Sequence, residues 1–218
     1  MKEPWSDTAL FDSKAGDWDR NPARVALANA VTESIRTDVP LDTSMNVLEF
    51  GCGTGLITLA LARFCGTISA VDTSPGMLAI LEAKASLAGT TNIRVFRKDL
   101  SLPGEAGTLP GDYDLVFGSM TLHHIEDTTA FLKTLHTLLS PDGMLAVADL
   151  EAEDGFFHDD ASEKVHHGFS GNGLREKLEQ AGFAVVSRRT VHVVEKINRA
   201  GRKASYPVFL LTAVKSKP

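Results

Sequence analysis

The stretch from Met45 to Gly55, Met-Asn-Val-Leu-Glu-Phe-Gly-Cys-Gly-Thr-Gly, constrains the fold more than any other part of the chain. Val47, Leu48 and Phe50 make the short apolar run of a buried strand. It breaks at once into Gly51, Gly53 and Gly55. Leu56, Ile57, Leu59, Ala60, Leu61 and Ala62 then read as a helix. The unit is strand, glycine loop, helix. A loop without side chains turns tightly and lets a ligand lie against the main chain. The first N–H groups of the helix point into the space above it. An ordinary strand-to-helix turn also uses glycine, so the spacing needs support from the rest of the chain.

That support starts at Glu49, two residues before the first glycine. A dinucleotide fingerprint would need its third glycine one position later, where Leu56 stands. Glu-x-Gly-x-Gly-x-Gly instead resembles the first motif of the class I S-adenosylmethionine-dependent methyltransferases. The resemblance implies that Glu49, Gly51, Cys52 and Gly53 hold the amino-acid end of S-adenosylmethionine. Thr67 to Asp72 reads as a second strand ending in an acid, 21 residues after Gly51. An acid there can accept bonds from a ribose diol. Ser74 and Pro75 already supply the cap of the following helix, which leaves Asp72 for the ribose. Met77, in the first turn of that helix, either touches the adenine or joins the core. After a third strand, Asn92 to Arg97, the resemblance gives the Asp99 side chain to the adenine amino group and the Leu100 backbone to a ring nitrogen. It adds Trp18, Thr73 and Ser119 to the cofactor-binding residues.

The remaining elements follow in order. Trp5, Phe11 and Trp18 stand in an aperiodic N-terminal stretch. Phe11 to Asp19 resembles the aromatic segment that many small-molecule methyltransferases fold over the cofactor; anchoring a loop to the core is the alternative. Asn21 and Pro22 start a helix running to about Arg36. Tyr113 to Met120 is a fourth strand, and Asp127 caps a helix with Phe131, Leu132, Leu135, Leu138 and Leu139 along one stripe. Ser140 to Gly143 is a turn. Gly143 to Asp149 is a fifth strand apolar enough to be buried on both faces. Ser170 caps a helix stopped by Gly182. Phe183 to about Val194 and Tyr206 to Val214 are the last strands. The loop between them is too short for a crossover, so they run antiparallel. Pro207 suits an edge or a strand start. The expectation is an α/β fold, a Rossmann-like three-layer sandwich. Its seven-stranded sheet is mostly parallel, with one antiparallel strand near the C-terminus. The expected organisation is one methyltransferase domain over 1–218. A helical lid occupies 1–40 and a Rossmann-like core 45–218.

A net charge of -6 argues against a nucleic-acid backbone as main partner. Eight Lys/Arg between Arg188 and Pro218 (Arg188, Arg189, Lys196, Arg199, Arg202, Lys203, Lys215, Lys217) face one acid, Glu195. They read as a solvated face and tail rather than an anion site. Cys52 and Cys65 are the only cysteines, and Cys52 lies in the glycine loop, which fits a reducing compartment. With no long apolar stretch, a cytoplasmic protein without a membrane partner is expected.

A sulfonium cofactor carries its own leaving group, so the protein mainly aligns two reactants. A base is needed only where the acceptor must lose a proton. His123 and His124 follow the fourth strand. Asp149, Glu151, His158, His166 and His167 follow the fifth, in an aromatic segment over 151–169 that reads as a lid or acceptor loop. Leu122-His-His-Ile125 resembles small-molecule methyltransferases of the ubiquinone-biosynthesis type. It is not the Asn/Asp-Pro-Pro-aromatic tetrapeptide of enzymes that methylate base amino groups. The expected catalytic residues are His124, His123 and His167, acting on a small-molecule methyl acceptor through O, N, S or C. A metal held by His158, His166 and His167 with Asp149 or Glu151 has no diagnostic spacing. Adjacent histidines rarely share an ion, so no metal is expected. A protein or peptide methyltransferase and a cofactor-binding module without transferase activity stand as alternatives. The glycine spacing and Glu49 argue against a nicotinamide oxidoreductase.

Overall fold

A computed structural model describes residues 8–216; Trp5 and Lys217 lie outside the described residues. Seven strands form one sheet: β1 (Asn46–Phe50), β2 (Thr67–Asp72), β3 (Ile93–Arg97), β4 (Tyr113–Ser119), β5 (Leu139–Leu150), β6 (Phe183–Ile197) and β7 (Lys203–Lys215). Their order is β3-β2-β1-β4-β5-β7-β6. All neighbours are parallel except β7, which is antiparallel to both β5 and β6. One reversed strand therefore sits near the C-terminus, as the order of elements predicted.

Among the described residues six α-helices accompany the sheet: α1 (Thr8–Lys14), α2 (Pro22–Asp38), α3 (Leu56–Leu61), α4 (Pro75–Leu87), α5 (Thr128–Leu138) and α6 (Gly171–Gln180). The caps read from the sequence form where expected. Asn21, Ser74, Asp127 and Ser170 each accept a backbone N–H from the first turn of α2, α4, α5 and α6. Val31 and Ile35 of α2 and Leu61 of α3 pack with Val47, Leu115 and Leu210 on one side of the sheet. Leu132 and Leu135 of α5 and Leu174 and Leu178 of α6 pack with Val116, Leu145 and Leu211 on the other. The sequence from Leu145 to Leu150 is buried throughout, because both faces of β5 are covered.

Three local expectations are modified. Leu139, expected on the helical stripe, instead opens β5, because α5 ends at Leu138. The turn at Ser140 to Gly143 is a bulge: Tyr113 faces Leu139, and the next pair is Leu115 with Met144. Pro207 is neither at an edge nor at a strand start but inside β7, between β5 and β6. Its carbonyl accepts the Glu151 N–H (2.9 Å) just where β5 ends. The missing proline N–H therefore falls at the margin of that ladder, where it costs least.

Sequential connections change direction between β1 and β4, which lie side by side in the sheet. Such a switch point opens a crevice at the carboxyl ends of the strands, where open α/β sheets bind ligands.

Candidate active site

The crevice is a cavity of about 1200 Å3. One wall is the glycine loop. Gly51, Gly53 and Gly55 all have positive φ (66°, 53° and 79°), which a side chain would strain. A Cβ on Gly51 would lie 2.1 Å from Thr121 Oγ1, whereas one on Gly53 would meet nothing within 4 Å. The Gly53 backbone thus borders open space. Asp72 closes this corner. Its carboxylate accepts the Gly53 N–H (2.8 Å) and the Ser74 N–H (2.9 Å). Burial pushes its pKa up against those two bonds. Glu49, 2% exposed, accepts the Thr58 hydroxyl. Burial, with Asp72 adding to it, pushes its pKa up to about 8. Burial likewise raises the Cys52 thiol well above its ordinary value, so it is an inert lining group rather than a nucleophile.

A second wall is the N-terminal segment. Asp12 accepts from the Ser74 hydroxyl and from the Gly76 N–H (2.9 Å), at the start of α4. Asp19 accepts from the Thr54 hydroxyl (2.5 Å) and pairs with Lys84 (2.6 Å), which also reaches the Thr54 carbonyl (2.8 Å). Between these clamps lies Trp18, with the Arg24 guanidinium 3.7 Å above its ring and Phe11 at its edge, 6.0 Å between centroids.

The third wall carries the histidines. A turn at Leu122–His124 follows β4 and is entered through Met120, whose φ of 54° is strained for a non-glycine residue. His123 is buried and its Nδ1 lies 2.6 Å from Asp149 Oδ1 at the end of β5. Asp149 is fully buried, and also accepts the N–H groups of His123 (3.2 Å) and Leu150 (2.7 Å). The His124 ring packs 4.2 Å from His123 and 5.3 Å from Phe11. Burial, then the neighbouring His123 and His158, push His124 down to about 2. It is therefore neutral at physiological pH. His158 comes from the 151–169 segment. Its Nδ1 is 3.0 Å from Glu163 Oε2, and its ring is 5.1 Å from His123 and 5.4 Å from His124. Basic residues of β6 and the following loop hold this segment down. Arg188 bonds Glu151 and the Phe169 carbonyl, Lys196 bonds Asp159 and the Phe157 carbonyl, and Arg199 bonds the His158 carbonyl. The C-terminal charge excess is therefore partly a set of pins, not only a solvated face.

A family model described as a methyltransferase domain matches residues 18–188, well over half of the chain. The chain belongs to the class I S-adenosylmethionine-dependent methyltransferases. An uncharacterised methyltransferase of Schizosaccharomyces pombe is 34% identical over 137 residues, 58% of this chain and 48% of that protein. A ubiquinone biosynthesis O-methyltransferase of Methylocella silvestris is 27% identical, over 66% of this chain and 62% of that protein. The chain thus spans about half to three fifths of the length of these curated relatives. Among solved structures, a SAM-dependent methyltransferase from Aquifex aeolicus superposes with a TM-score of 0.67 at 23% identity, covering 96% of this chain and 99% of that one.

S-adenosylmethionine is this family's cofactor, and the cavity fits it. The open space at Gly53 is where a backbone can approach a ligand, and the buried Glu49 borders the same cavity. Every residue expected to bind the cofactor borders this one cavity: Trp18, Glu49, Gly51, Cys52, Gly53, Asp72, Thr73, Met77, Asp99, Leu100 and Ser119. Met77 is both buried in the core and at the cavity edge. Asp99 Oδ1 is bonded to the Ser101 N–H and hydroxyl. Among the expected catalytic residues, His123 and His124 line the cavity, but His167 does not. His167 is exposed and lies against Gly155, while its neighbour His166 turns to the Ile125 carbonyl (2.9 Å). Successive residues of an extended segment point to opposite sides, so the pair cannot both face inward. His158 takes the place expected of His167. Asp12, Asp19, Thr58 and Glu163 were not singled out by sequence. Each acts through one or two polar contacts at long sequence separation, which leave no local pattern.

Proposed function

We propose that this chain transfers a methyl group from S-adenosylmethionine to a small-molecule acceptor whose reacting atom lies against His123 and His124. The observation that carries this reading is the buried Asp149–His123 pair, whose imidazole lines the same cavity as the glycine loop. The cavity volume of about 1200 Å3 exceeds the ~300–1,000 Å3 of ordinary small-ligand sites. It has room for cofactor and acceptor together, under a roof made by residues 8–20. S-adenosylmethionine supplies the activated methyl group. Glu49 and the loop amides receive its amino-acid end, and Asp72 its ribose. Asp12 and Asp19 hold the N-terminal segment over the site and exclude water. Phe11, Phe131 and Phe157 offer the acceptor an apolar, aromatic lining. Asp149 accepts the His123 Nδ1 proton, which leaves Nε2 with a lone pair to take a proton from a hydroxyl or thiol. The 27% relative named for ubiquinone O-methylation supports a hydroxyl.

The test is a methyl-transfer screen with labelled cofactor across phenols, thiols, amines, carboxylic acids and a peptide mixture. Phenols or thiols should be methylated. His123→Ala should lower turnover by about 10²–10⁴-fold with S-adenosylhomocysteine affinity kept. Labelling confined to the peptides would overturn the small-molecule reading.

A further inference from the structure

We propose that His123, His124 and His158 form a binding site for a divalent transition-metal ion, with one coordination position open to the acceptor side of the cavity. One ring nitrogen from each histidine lies within 4.8 Å of the other two, and the turn at Leu122–His124 brings the adjacent His123 and His124 into this range against the expectation for neighbouring histidines. All three side chains border the cavity. Two of them are arranged as metal-binding imidazoles usually are: the ring nitrogen not facing the ion is held by a carboxylate, which sets tautomer and orientation. Asp149 does this for His123 at 2.6 Å and Glu163 for His158 at 3.0 Å. Both carboxylates are themselves at most 14% exposed. With Nδ1 committed, Nε2 of each ring carries a lone pair. His158 Nε2 is buried and has no hydrogen-bond partner among the described residues. A buried nitrogen lone pair without a donor is costly. A cation between the three rings would satisfy it.

The ligand set selects the ion class. Three imidazole nitrogens suit Zn2+, Co2+, Ni2+, Cu2+ or Fe2+. Mg2+ and Ca2+ ask for oxygen ligands and are excluded as preferred occupants. At Zn–N distances of about 2.0–2.1 Å, tetrahedral ligands stand about 3.3 Å apart, so closure needs shifts of about 1 Å. The 151–169 segment is tied by backbone bonds at its ends and at His166, whose N–H reaches the His123 carbonyl (2.8 Å), but around His158 it has no regular secondary structure and is held by side-chain pins, so the His158 ring can supply that shift. Three protein ligands leave a fourth place for a water or an acceptor oxygen or sulfur. The ion lowers the pKa of what it binds, and the proton leaves to water. The role of that fourth place rests on the methyl-transfer reading; metal binding itself does not. With the ion bound, the His123 Nε2 lone pair is occupied and the ion takes over lowering the acceptor's pKa; His123 acts as the base only in the metal-free protein.

The experiment uses the full chain stripped with chelator and titrated with Co2+, followed by calorimetry and by its visible ligand-field bands. One equivalent should bind with the absorption of a four-coordinate nitrogen-ligated ion. His158→Ala should weaken binding at least tenfold, and Glu163→Gln about 10–100-fold. His167→Ala should leave it unchanged. Azide should shift the bands by entering the open position; unshifted bands would refute an open site. Absence of stoichiometric binding, or binding indifferent to His158→Ala, would overturn the proposal. His158 lies in a loop, so this variant is readable even if His123→Ala does not fold. S-adenosylhomocysteine affinity, measured on the same samples, reports separately on the cofactor site. Its loss would count against the methyl-transfer reading without touching the metal result.

Discussion

Glu49→Gln should change how the protein's stability depends on pH. The Glu49 carboxyl is buried and its pKa stands near 8 against an ordinary 4.5. Below pH 4.5 the acid is protonated in both folded and unfolded chains and contributes no pH dependence. Between pH 4.5 and about 8 only the unfolded chain ionises, so the wild type loses stability as pH rises; above 8 the loss is complete. At about 1.4 kcal/mol per pH unit, the gap gives a ceiling of about 5 kcal/mol, and about 3 at pH 7. Relaxation and water entry around a buried charge reduce such values, to roughly half. The glutamine amide replaces the neutral acid in shape and can still accept the Thr58 hydroxyl. Urea unfolding of both proteins from pH 5 to 8 should show the variant gaining on the wild type by about 2 kcal/mol. Parallel curves would refute the reasoning. Cofactor binding supplies a second readout. In the proposed binding mode the cofactor's ammonium lies beside Glu49 and favours the carboxylate, so at pH 7 the wild type should release close to one proton on binding S-adenosylhomocysteine. Calorimetry in phosphate and in Tris should then give different enthalpies for the wild type and equal ones for the variant.

Asp72→Ala should weaken S-adenosylhomocysteine by about 1–3 kcal/mol in calorimetry, because it removes the proposed ribose acceptor and orphans the Gly53 and Ser74 N–H groups. Gly53→Val should abolish binding: the φ of 53° costs about 1–3 kcal/mol for a branched residue, and the side chain enters the open space beside the loop. A folded variant that binds normally would remove the glycine-loop argument. Trp18 fluorescence should change on cofactor binding, and Asp19→Ala should raise the cofactor's off-rate by releasing Thr54 and Lys84; an unchanged off-rate would show that this clamp is not a lid. His124→Ala should lower turnover while His167→Ala leaves it intact, since only His124 borders the cavity.

The strands, caps and glycine loop were legible in the sequence because each is written in contiguous residues. Val47 to Gly55 shows strand and loop by period and punctuation. Asn21, Ser74, Asp127 and Ser170 show helix starts by their side-chain chemistry. The short link between β6 and β7 dictated their antiparallel pairing. What only the tertiary structure decided depends on residues far apart in the chain. The sheet order is set by which apolar faces can be buried together, and it brings the ends of β1, β4 and β5 to one cavity. His158 rather than His167 meets His123 because the path of 151–169 is set by Arg188, Lys196 and Arg199 on another strand and its loop. The pairs His123–Asp149 and His158–Glu163, and the clamps from Asp12 and Asp19 to the glycine loop, are single directional contacts. A hydrogen bond requires two groups to meet within about 3 Å at a set angle. No periodicity in a one-dimensional chain encodes such a meeting, so it exists only once the backbone is folded.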